Sequence, residues 1–310
     1  GDVRHGGETK GKNAANNLEY DVHFNFGLQY LRTGQTWYID YIEMQARHQA
    51  DIDTDHVNGA PWKHSPWHTT WHADIAHVFL RGLVMHYWLT GEDRSLEIAR
   101  RIGDHLADRA NRFDGFGNER QIGWGNVGLT GIYEATLDRK YLDAAAKLCD
   151  KLVSEQSPSG RFKIRWDNRM SLMNGMAMHG MVTVQELTGD EKLAEGILRL
   201  ARRTLGLYPE YAMRTLNGFA WCVKRTNNPV FLDVMERTVE ASMEFHMPNR
   251  PGSATTSETH AWRFPWFCAK YQLFPMFQGQ LPPLPSPIGW KGTRIFNQNL
   301  EFLVRPTGTR

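Results

Sequence analysis

One short pattern returns along the chain: a helical run, a tight turn at a small or polar residue, and a second helical run. "YLRTGQTWYID" turns at Gly34 and "YWLTGEDRSLEIA" turns at Gly91. Further turns follow at Asp138, Gly189 and Asn227, so successive turns lie 38 to 57 residues apart. Gly, Asp and Asn suit the left-handed cap of a helix, and a following Thr, Asp or Asn can cap the next helix. This spacing is typical of stacked helical hairpins.

The apolar residues between the turns are spaced as in helices, as with Leu96, Ala99, Ile102 and Leu106. Alternating, strand-like patterns are scarce before the last twenty residues or so. We therefore predict helices at 14–33, 36–51, 66–90, 93–112, 122–137, 139–156, 170–188, 190–206, 210–226, 229–247 and 260–274.

The predicted helices alternate between two kinds. "ADIAHVFLRGLVMHYWL" and "SLMNGMAMHGMVTV" are apolar nearly all round, whereas "DRSLEIARRIGDHLADRANRF" and "DEKLAEGILRLARRTL" carry one charged face. This alternation predicts an inner and an outer ring, that is, an all-α (α/α)n toroid with n of five to six. We assign residues 1–280 to a toroid catalytic domain. Residues 281–310 form a Pro-rich linker and tail, for which a β-hairpin and the start of a further domain are both open.

Charge and hydropathy exclude several classes of partner. The formal net charge is +2, from 36 basic and 34 acidic side chains, which gives no electrostatic reason to expect nucleic acid or an anionic membrane. No run of about 18 apolar residues predicts a membrane span. Cys149, Cys222 and Cys268 are too widely spaced for a disulfide framework or a thiolate metal site. We expect a secreted or periplasmic protein, although no leader is visible in the sequence.

The loops that precede the inner helices of a toroid lie on one face, so their polar residues converge on one funnel. Nearly every such loop brings an aromatic or Arg side chain, and most bring an amide. Aromatic rings that stack on sugars, with amides, Arg and His to bind hydroxyls or carboxylates, are the components of a carbohydrate cleft. The predicted binding residues are Asn17, Asp21, Trp67, Trp71, Trp124, Asn126, Arg169, Asn174, His260, Trp262 and Arg263.

Three segments resemble a known family. "NNLEYDVHFNFGLQYLRTG", "ARHQADIDTDHV" and "HSPWHTTWHADIAHVFLRGLVMHYWLTGE" are similar to the helical-toroid domain of exo-rhamnogalacturonan lyase-like proteins, and more loosely to toroids of other uronate polysaccharide lyases. The likeness covers roughly the first 135 residues. It implies a polysaccharide lyase that cleaves a uronic-acid-containing glycan by β-elimination, so the expected partner is an acidic oligo- or polysaccharide.

β-Elimination needs a group that holds the uronate carboxylate, a base for the adjacent proton and an acid for the departing oxygen. Such chemistry requires no cofactor. We predict His68 or His72 as the base and Tyr20 as the proton donor, with Arg214 as a catalytic carboxylate clamp.

The segment "KHSPWHTTWH" allows a second interpretation. Ser65 and Pro66 suit a helix start, which places His68 and His72 one turn apart on one face, and this is also a zinc-ligand spacing. A divalent metal, Zn or Ca, therefore stays open as a cofactor. Its predicted ligands are His48, Asp53, His56 and His64. The histidines predicted to pack inside helices are His23, His77, His86, His105, His179 and His246.

Two other function classes stay open. A glycoside hydrolase on the same toroid needs two carboxylates about 5 to 10 Å apart, and the available ones are Asp21, Asp53 and Glu258. A non-catalytic glycan-binding toroid is the third possibility, since fold does not determine function.

Overall fold

The computed structural model describes residues 3–4, 15–16, 21–61, 75–162, 170–205, 213–246 and 263–277. Two short strands, β1 (Val3–Arg4) and β2 (Ala15–Asn16), pair antiparallel. The helices are α1 (Val22–Thr33), α2 (Trp37–Asp51), α3 (Arg81–Thr90), α4 (Asp93–Arg112), α5 (Glu119–Thr136), α6 (Arg139–Glu155), α7 (Met170–Thr188), α8 (Glu191–Thr204), α9 (Leu216–Thr226), α10 (Pro229–His246) and α11 (Phe264–Lys270).

The helices form the two predicted rings. The odd-numbered helices α1, α3, α5, α7, α9 and α11 contact one another in chain order and form the inner ring. The even-numbered helices pack outside them, with α2, α4, α6 and α8 in contact in that order. The predicted all-α (α/α) toroid is therefore confirmed.

The last inner helix closes the ring against the first. The rings of Phe24 in α1 and Trp266 in α11 meet edge to face, with centroids 5.7 Å apart. Just before α11, Arg263 Nε donates a hydrogen bond of 2.6 Å to Asn25 Oδ1. The hydrogen bond joins residues 238 positions apart in the chain.

The turns that join the two helices of each hairpin contain residues with left-handed backbone, as the sequence predicts. Gly34, Gly91, Gly189 and Asn227 have φ between 52° and 75°. The third turn differs, because Leu137 and not Asp138 adopts the left-handed conformation, with φ of 56°. Asp138 instead caps α6, where its carboxylate accepts a hydrogen bond of 3.1 Å from the backbone N–H of Lys140.

Two predicted inner helices start later than the sequence indicates. The helix predicted from residue 14 starts at Val22, because Asp21 is left-handed and residues 15–16 are extended. The helix predicted at 66–90 is interrupted: Ile75–His77 is a 3₁₀ turn, and α3 starts only at Arg81. The carbonyl oxygen of Phe79, two residues before α3, accepts a hydrogen bond from Gln49 Nε2 of α2. Its partner is therefore a side chain of a neighbouring helix.

The helix predicted at 210–226 also starts later, at Leu216, after a 3₁₀ turn at Met213–Thr215. The remaining boundaries agree within three residues, apart from the ends of the chain. The helix predicted at 260–274 is the shorter α11, followed by a 3₁₀ turn at Phe274–Phe277. The predicted tail at 281–310 lies outside the described residues. Cys149, Cys222 and Cys268 are buried free thiols. In the described part of the chain, no helix combines the length and apolarity that crossing a membrane requires.

Glycines let α5 and α7 approach at backbone contact. A Cβ added at Gly123 would lie 2.2 Å from the carbonyl oxygen of Met176, and one at Gly180 would lie 2.4 Å from that of Gly123. Both distances are far below van der Waals contact. The two inner helices could therefore not keep this separation with larger residues at either position.

Replacing Gly123 by Ala is expected to lower the free energy of unfolding by about 1–3 kcal/mol, because the added methyl group forces the two backbones apart. Alanine's better helix propensity, about 1 kcal/mol, does not offset this clash. Urea denaturation followed by circular dichroism measures the change. Gly117→Ala is the control, since a Cβ there meets only Gln121 at 3.7 Å. Equal stability of the two variants would contradict the close approach.

Candidate functional site

The structure describes six of the predicted catalytic and substrate-binding residues: Asp21, Trp124, Asn126, Asn174, Arg214 and Arg263. The others lie outside the described residues, on segments that precede the inner helices in the chain. These are Asn17, Tyr20, Trp67, His68, Trp71, His72, Arg169, His260 and Trp262.

Asp21 lies at the start of α1 and is 2% exposed. Its Oδ1 accepts a hydrogen bond of 2.9 Å from the backbone N–H of Gly82 in α3, and it lies 3.6 Å from His23 Nδ1. Its backbone is left-handed, with φ of 59° and ψ of 55°. Phe113, Leu137 and Asn227 share this conformation but cap the C-terminal ends of helices. Asp21 instead precedes a helix, and an outlier of this kind points to a functional constraint.

Arg263 is buried beside Asp21. Besides its bond to Asn25, its guanidinium carbon lies 5.4 Å from the centre of the Phe24 ring. Burial lowers the pKa of Arg263 to about 10, and the negative charge of Asp21 opposes this decrease. The guanidinium is therefore charged at neutral pH, and its positive charge interacts electrostatically with the negative charge of Asp21.

Two residues that the sequence analysis did not select complete this centre. Arg81 Nε donates a hydrogen bond of 3.0 Å to the carbonyl oxygen of Val127, and its Nη1 lies 3.0 Å from Glu134 Oε2. His179 of α7 is buried, and the positive charges of Arg263 and Arg81 are close enough to lower its pKa. We call this group the axial cluster; its members are Asp21, His23, Asn25, Arg81, His179 and Arg263.

The sequence held a signal for these missed residues. Arg81 and His179 are among the few titratable residues of helices that are otherwise apolar nearly all round; His86 and Glu186 are others. In an inner helix such a residue has no solvent-facing side to occupy, so it must point to a polar partner. His23 and His179 were predicted to be packing residues. Both are buried as predicted, but they also adjoin the charged groups of the axial cluster.

Burial keeps the two imidazoles of the axial cluster neutral. It lowers the pKa of His179 well below the usual value, and the positive charges of Arg263, Arg81 and Lys270 lower it further. Burial also lowers the pKa of His23, although Asp21 opposes this. A neutral imidazole can accept a proton, and a lowered pKa makes it a weaker base than a histidine in water. The axial cluster therefore combines a carboxylate, two guanidinium groups and two neutral imidazoles.

The other four described residues take different positions. Trp124 lies next to the axial cluster, with its ring centroid 6.2 Å from that of His179. Asn174 is buried near the start of α7, and a Cβ added at its neighbour Gly175 would lie 2.8 Å from Arg214 Cβ. Asn174 and Arg214 thus come close to each other, nearer the start of α7 than His179 is.

Asn126 does not face the predicted funnel. Its amide nitrogen donates to Cys149 Sγ of the outer helix α6 at 3.1 Å, and the residue is fully buried. It lies three positions from Gly123 on the side of α5 that packs against α7, where Gly180 approaches Asn126 Cβ. Asn126 is therefore placed as a packing residue between α5, α6 and α7 in this structure, and its assignment to the substrate stays a prediction.

The predicted metal ligands come together only in part. His48 Nε2 and Asp53 Oδ2 are 3.4 Å apart at the end of α2, and Asp53 is buried. His56 is exposed on the following loop, where its carbonyl oxygen accepts a hydrogen bond from Arg101. His64 lies outside the described residues. Within the described ranges, no three His, Cys, Asp or Glu side chains are grouped so that they could hold a metal ion.

The buried imidazole of His179 predicts a pH dependence of stability. Its pKa is lowered in the folded protein, so below about pH 6.5 the unfolded chain takes up a proton that the folded chain does not. Stability should therefore fall as the pH decreases below about 6.5, by up to about 1.4 kcal/mol per pH unit for this group. His179→Gln should reduce this slope in urea denaturation between pH 5 and 6.5. The control His56→Gln should not, because His56 is exposed; parallel profiles for His179→Gln and wild type would contradict the assignment.

Comparison with protein families gives one match. The profile of the family described as Beta-L-arabinofuranosidase, GH127 catalytic domain, matches residues 30–204, which is more than half of the chain. A comparison with curated protein sequences finds no match.

Solved structures share the toroid. A cellobiose 2-epimerase from Bacillus thermoamylovorans B4167 is 11% identical and has a TM-score of 0.65 over 86% of this chain and 91% of its own. A sugar epimerase from a ruminal bacterium is 13% identical, with a TM-score of 0.65 over 100% and 92%. A polysaccharide lyase is 12% identical, with a TM-score of 0.56 over 92% and 88%. At these identities the likeness concerns the fold alone.

Proposed function

Because the chain belongs to the Beta-L-arabinofuranosidase family with the GH127 catalytic domain, and is a carbohydrate-active enzyme on an (α/α) toroid, we propose that it hydrolyses a glycosidic bond. The family supports hydrolysis over the elimination that the sequence resemblance implied. That resemblance is confirmed for the toroid fold. The polysaccharide lyase assignment stays a prediction.

The observation that carries this proposal is the position of Asp21. Its carboxylate lies where α1, α3 and the start of α11 meet, held by the N–H of Gly82 and near the positive charge of Arg263. In most glycoside hydrolase families, hydrolysis uses a pair of carboxyl groups, one of which donates a proton to the departing oxygen. In our proposal Asp21 is one of this pair, and the backbone bond to Gly82 fixes its orientation.

The second carboxylate has two candidates from the sequence. Asp53 lies at the end of α2, paired with His48, and both belong to the outer ring. Glu258 lies outside the described residues and precedes Arg263 by five positions in the chain. We therefore propose Glu258 as the partner of Asp21 and exclude Asp53 from the reacting groups.

The test offers the protein a panel of aryl glycosides and polysaccharides, beginning with arabinofuranosides because of the family. Hydrolysis releases nitrophenol or new reducing ends without any absorbance of an unsaturated sugar. Glu258→Gln should remove most of this activity, whereas Asp53→Asn should not. Formation of unsaturated products from acidic polysaccharides would transfer the assignment to β-elimination.

One observation favours β-elimination as a second candidate. His179 is a neutral imidazole near the guanidinium groups of Arg81 and Arg263. Removal of a proton beside a uronate carboxylate needs such a base and a nearby positive charge. Under this second proposal His179 is the base, in place of His68 or His72, and the substrate is an acidic glycan. His179→Gln would then abolish formation of the unsaturated uronate.

A further inference from the structure

Helix α3 starts without a local cap. The N–H of Val84 bonds to the carbonyl oxygen of Leu80, so the N–H groups of the residues before Val84 have no partner within the helix. The residue at the N-cap position is Leu80, whose apolar side chain accepts no hydrogen bond. Partners for these N–H groups must therefore come from other parts of the chain.

Asp21 of α1 supplies one of these partners. Its Oδ1 accepts the hydrogen bond of 2.9 Å from the N–H of Gly82, the second residue of α3. The carboxylate thus caps the N-terminus of α3 from a neighbouring helix, where the positive end of the helix dipole favours its negative charge. The imidazole of His23 packs directly against Gly82, where an added Cβ would lie 1.9 Å from His23 Cδ2. The orientation of Asp21 therefore depends on the backbone at the start of α3.

The bond to Asp21 exists because α3 does not continue toward the N-terminus. In a helix that continued upstream, the N–H of Gly82 would bond to the carbonyl oxygen of Val78, four positions earlier. The sequence predicted such a continuous helix at 66–90. The structure has a 3₁₀ turn at Ile75–His77 instead, followed by residues 78–80 without helical structure. The interruption therefore leaves the N–H of Gly82 available to the carboxylate.

Gln49 of the outer helix α2 stabilises this interruption. Its Nε2 donates to the carbonyl oxygen of Phe79, which in a continuous helix would accept from the N–H of Leu83. Gln49 is 3% exposed, and its own carbonyl oxygen accepts a hydrogen bond of 2.9 Å from Thr54 Oγ1. A buried carbonyl group needs a partner, and here a side chain takes the place of the helix.

We propose that Gln49 is a positioning residue for Asp21 and acts through the start of α3. By binding the carbonyl oxygen of Phe79, it keeps α3 from extending upstream, so the N–H of Gly82 stays on the carboxylate. Without this amide α3 can extend, and Asp21 loses the donor that fixes its orientation. The catalytic consequence rests on the proposed function, in which Asp21 is a reacting group. Gln49 itself lies in the outer ring and takes no part in the reaction.

One test of this role needs no substrate. In this sequence glycine follows arginine only at Arg81–Gly82, so ¹³C-carbonyl arginine combined with ¹⁵N-glycine selects the N–H of Gly82 as a single NMR signal. Gln49→Met should move this proton signal upfield, because a bond to a carboxylate is stronger than one to a neutral carbonyl. Asp21→Asn calibrates the shift, since it replaces the charged acceptor by a neutral one. Circular dichroism checks that each variant is folded.

Steady-state kinetics on the best substrate of the panel tests the catalytic consequence. Gln49→Met should lower kcat by about tenfold or more and change KM by less than about threefold, the pattern of a misplaced reacting group. If Gln49→Met does not fold, Gln49→Asn gives the same test, because its amide is one methylene group too short to reach Phe79.

Gln45→Met is the matched control. Gln45 is also buried and lies one turn earlier on α2, and its Oε1 has no hydrogen-bond partner in the described part of the chain. This variant should change neither the Gly82 signal nor kcat. An unmoved Gly82 signal in folded Gln49→Met, or an equal shift in Gln45→Met, would overturn the proposal. So would an unchanged kcat in Gln49→Met while Asp21→Asn loses activity. Full activity of Asp21→Asn would instead overturn the proposed function, and the Gly82 signal would still decide whether Gln49 holds the carboxylate in place.

Discussion

Replacing Asp21 by Asn is expected to lower kcat/KM for the glycan substrate by about three orders of magnitude or more, the effect of losing a group that acts in proton transfer. Asparagine has the same shape, and its side-chain oxygen can still accept the hydrogen bond from Gly82. It also tolerates the left-handed backbone of this position. The variant therefore removes the acid–base function of the carboxylate and leaves the local structure in place. Steady-state kinetics on the best substrate of the panel gives the ratio.

Asp53→Asn provides the matched control. Asp53 is as buried as Asp21 and also contacts a histidine, but it lies at the end of α2. Its replacement should change kcat/KM by less than about tenfold, since it touches no reacting group in the proposed mechanism. Similar losses in the two variants, or a small loss for Asp21→Asn, would show that Asp21 is not a catalytic group.

Replacing Arg263 by Met is expected to lower the free energy of unfolding by about 2–4 kcal/mol, because it removes a hydrogen bond from a buried charged donor and a positive charge that acts on the buried Asp21. The change leaves the carboxylate of Asp21 buried without this positive charge, and it removes the donor to Asn25 Oδ1. Methionine fills much of the volume of the arginine side chain. The decrease in the free energy of unfolding therefore comes more from the lost charge than from lost packing. Denaturation in urea at pH 7 measures it.

A double-mutant cycle separates the charge from the ring closure. If the loss comes from an uncompensated Asp21, the variant with both Asp21→Asn and Arg263→Met should be more stable than the sum of the two single changes predicts, by about 1–3 kcal/mol. Additive changes would mean that Arg263 acts through packing and the bond to Asn25. Arg100→Gln, on the exposed face of α4, should have almost no effect.

The toroid could be predicted from sequence because its signals are local. Each hairpin turn has a residue suited to a left-handed cap, and Gly34, Gly91 and Gly189 adopt that conformation. The alternation of all-apolar and one-face-charged helices then orders the rings. Leu137 shows the limit of this reasoning, because a leucine with positive φ has no local signal and Asp138 beside it had the better one.

The site was harder to predict because its residues depend on contacts distant in sequence. The late start of α3 reflects Gln49 of α2, which takes the carbonyl oxygen of Phe79 thirty positions away. Asn126 has an amide side chain of the kind that binds sugars. Because α7 packs closely against α5 at this point, the amide nitrogen instead donates to Cys149 Sγ. The tertiary structure decides which polar side chains of an inner helix face the centre.

The seam between Asn25 and Arg263 also has a consequence for how the chain assembles. The two residues are 238 positions apart, so the growing chain can build each hairpin from neighbours soon after synthesis but can close the circle only when the last inner helix has emerged. Until then Phe24 and Asn25 of the first helix lack their partners. Before this closure the inner helices form an open arc with exposed apolar surface, and this is the state in which chaperones would matter most. The carboxylate of Asp21 comes near the positive charge of Arg263 only when the ring closes.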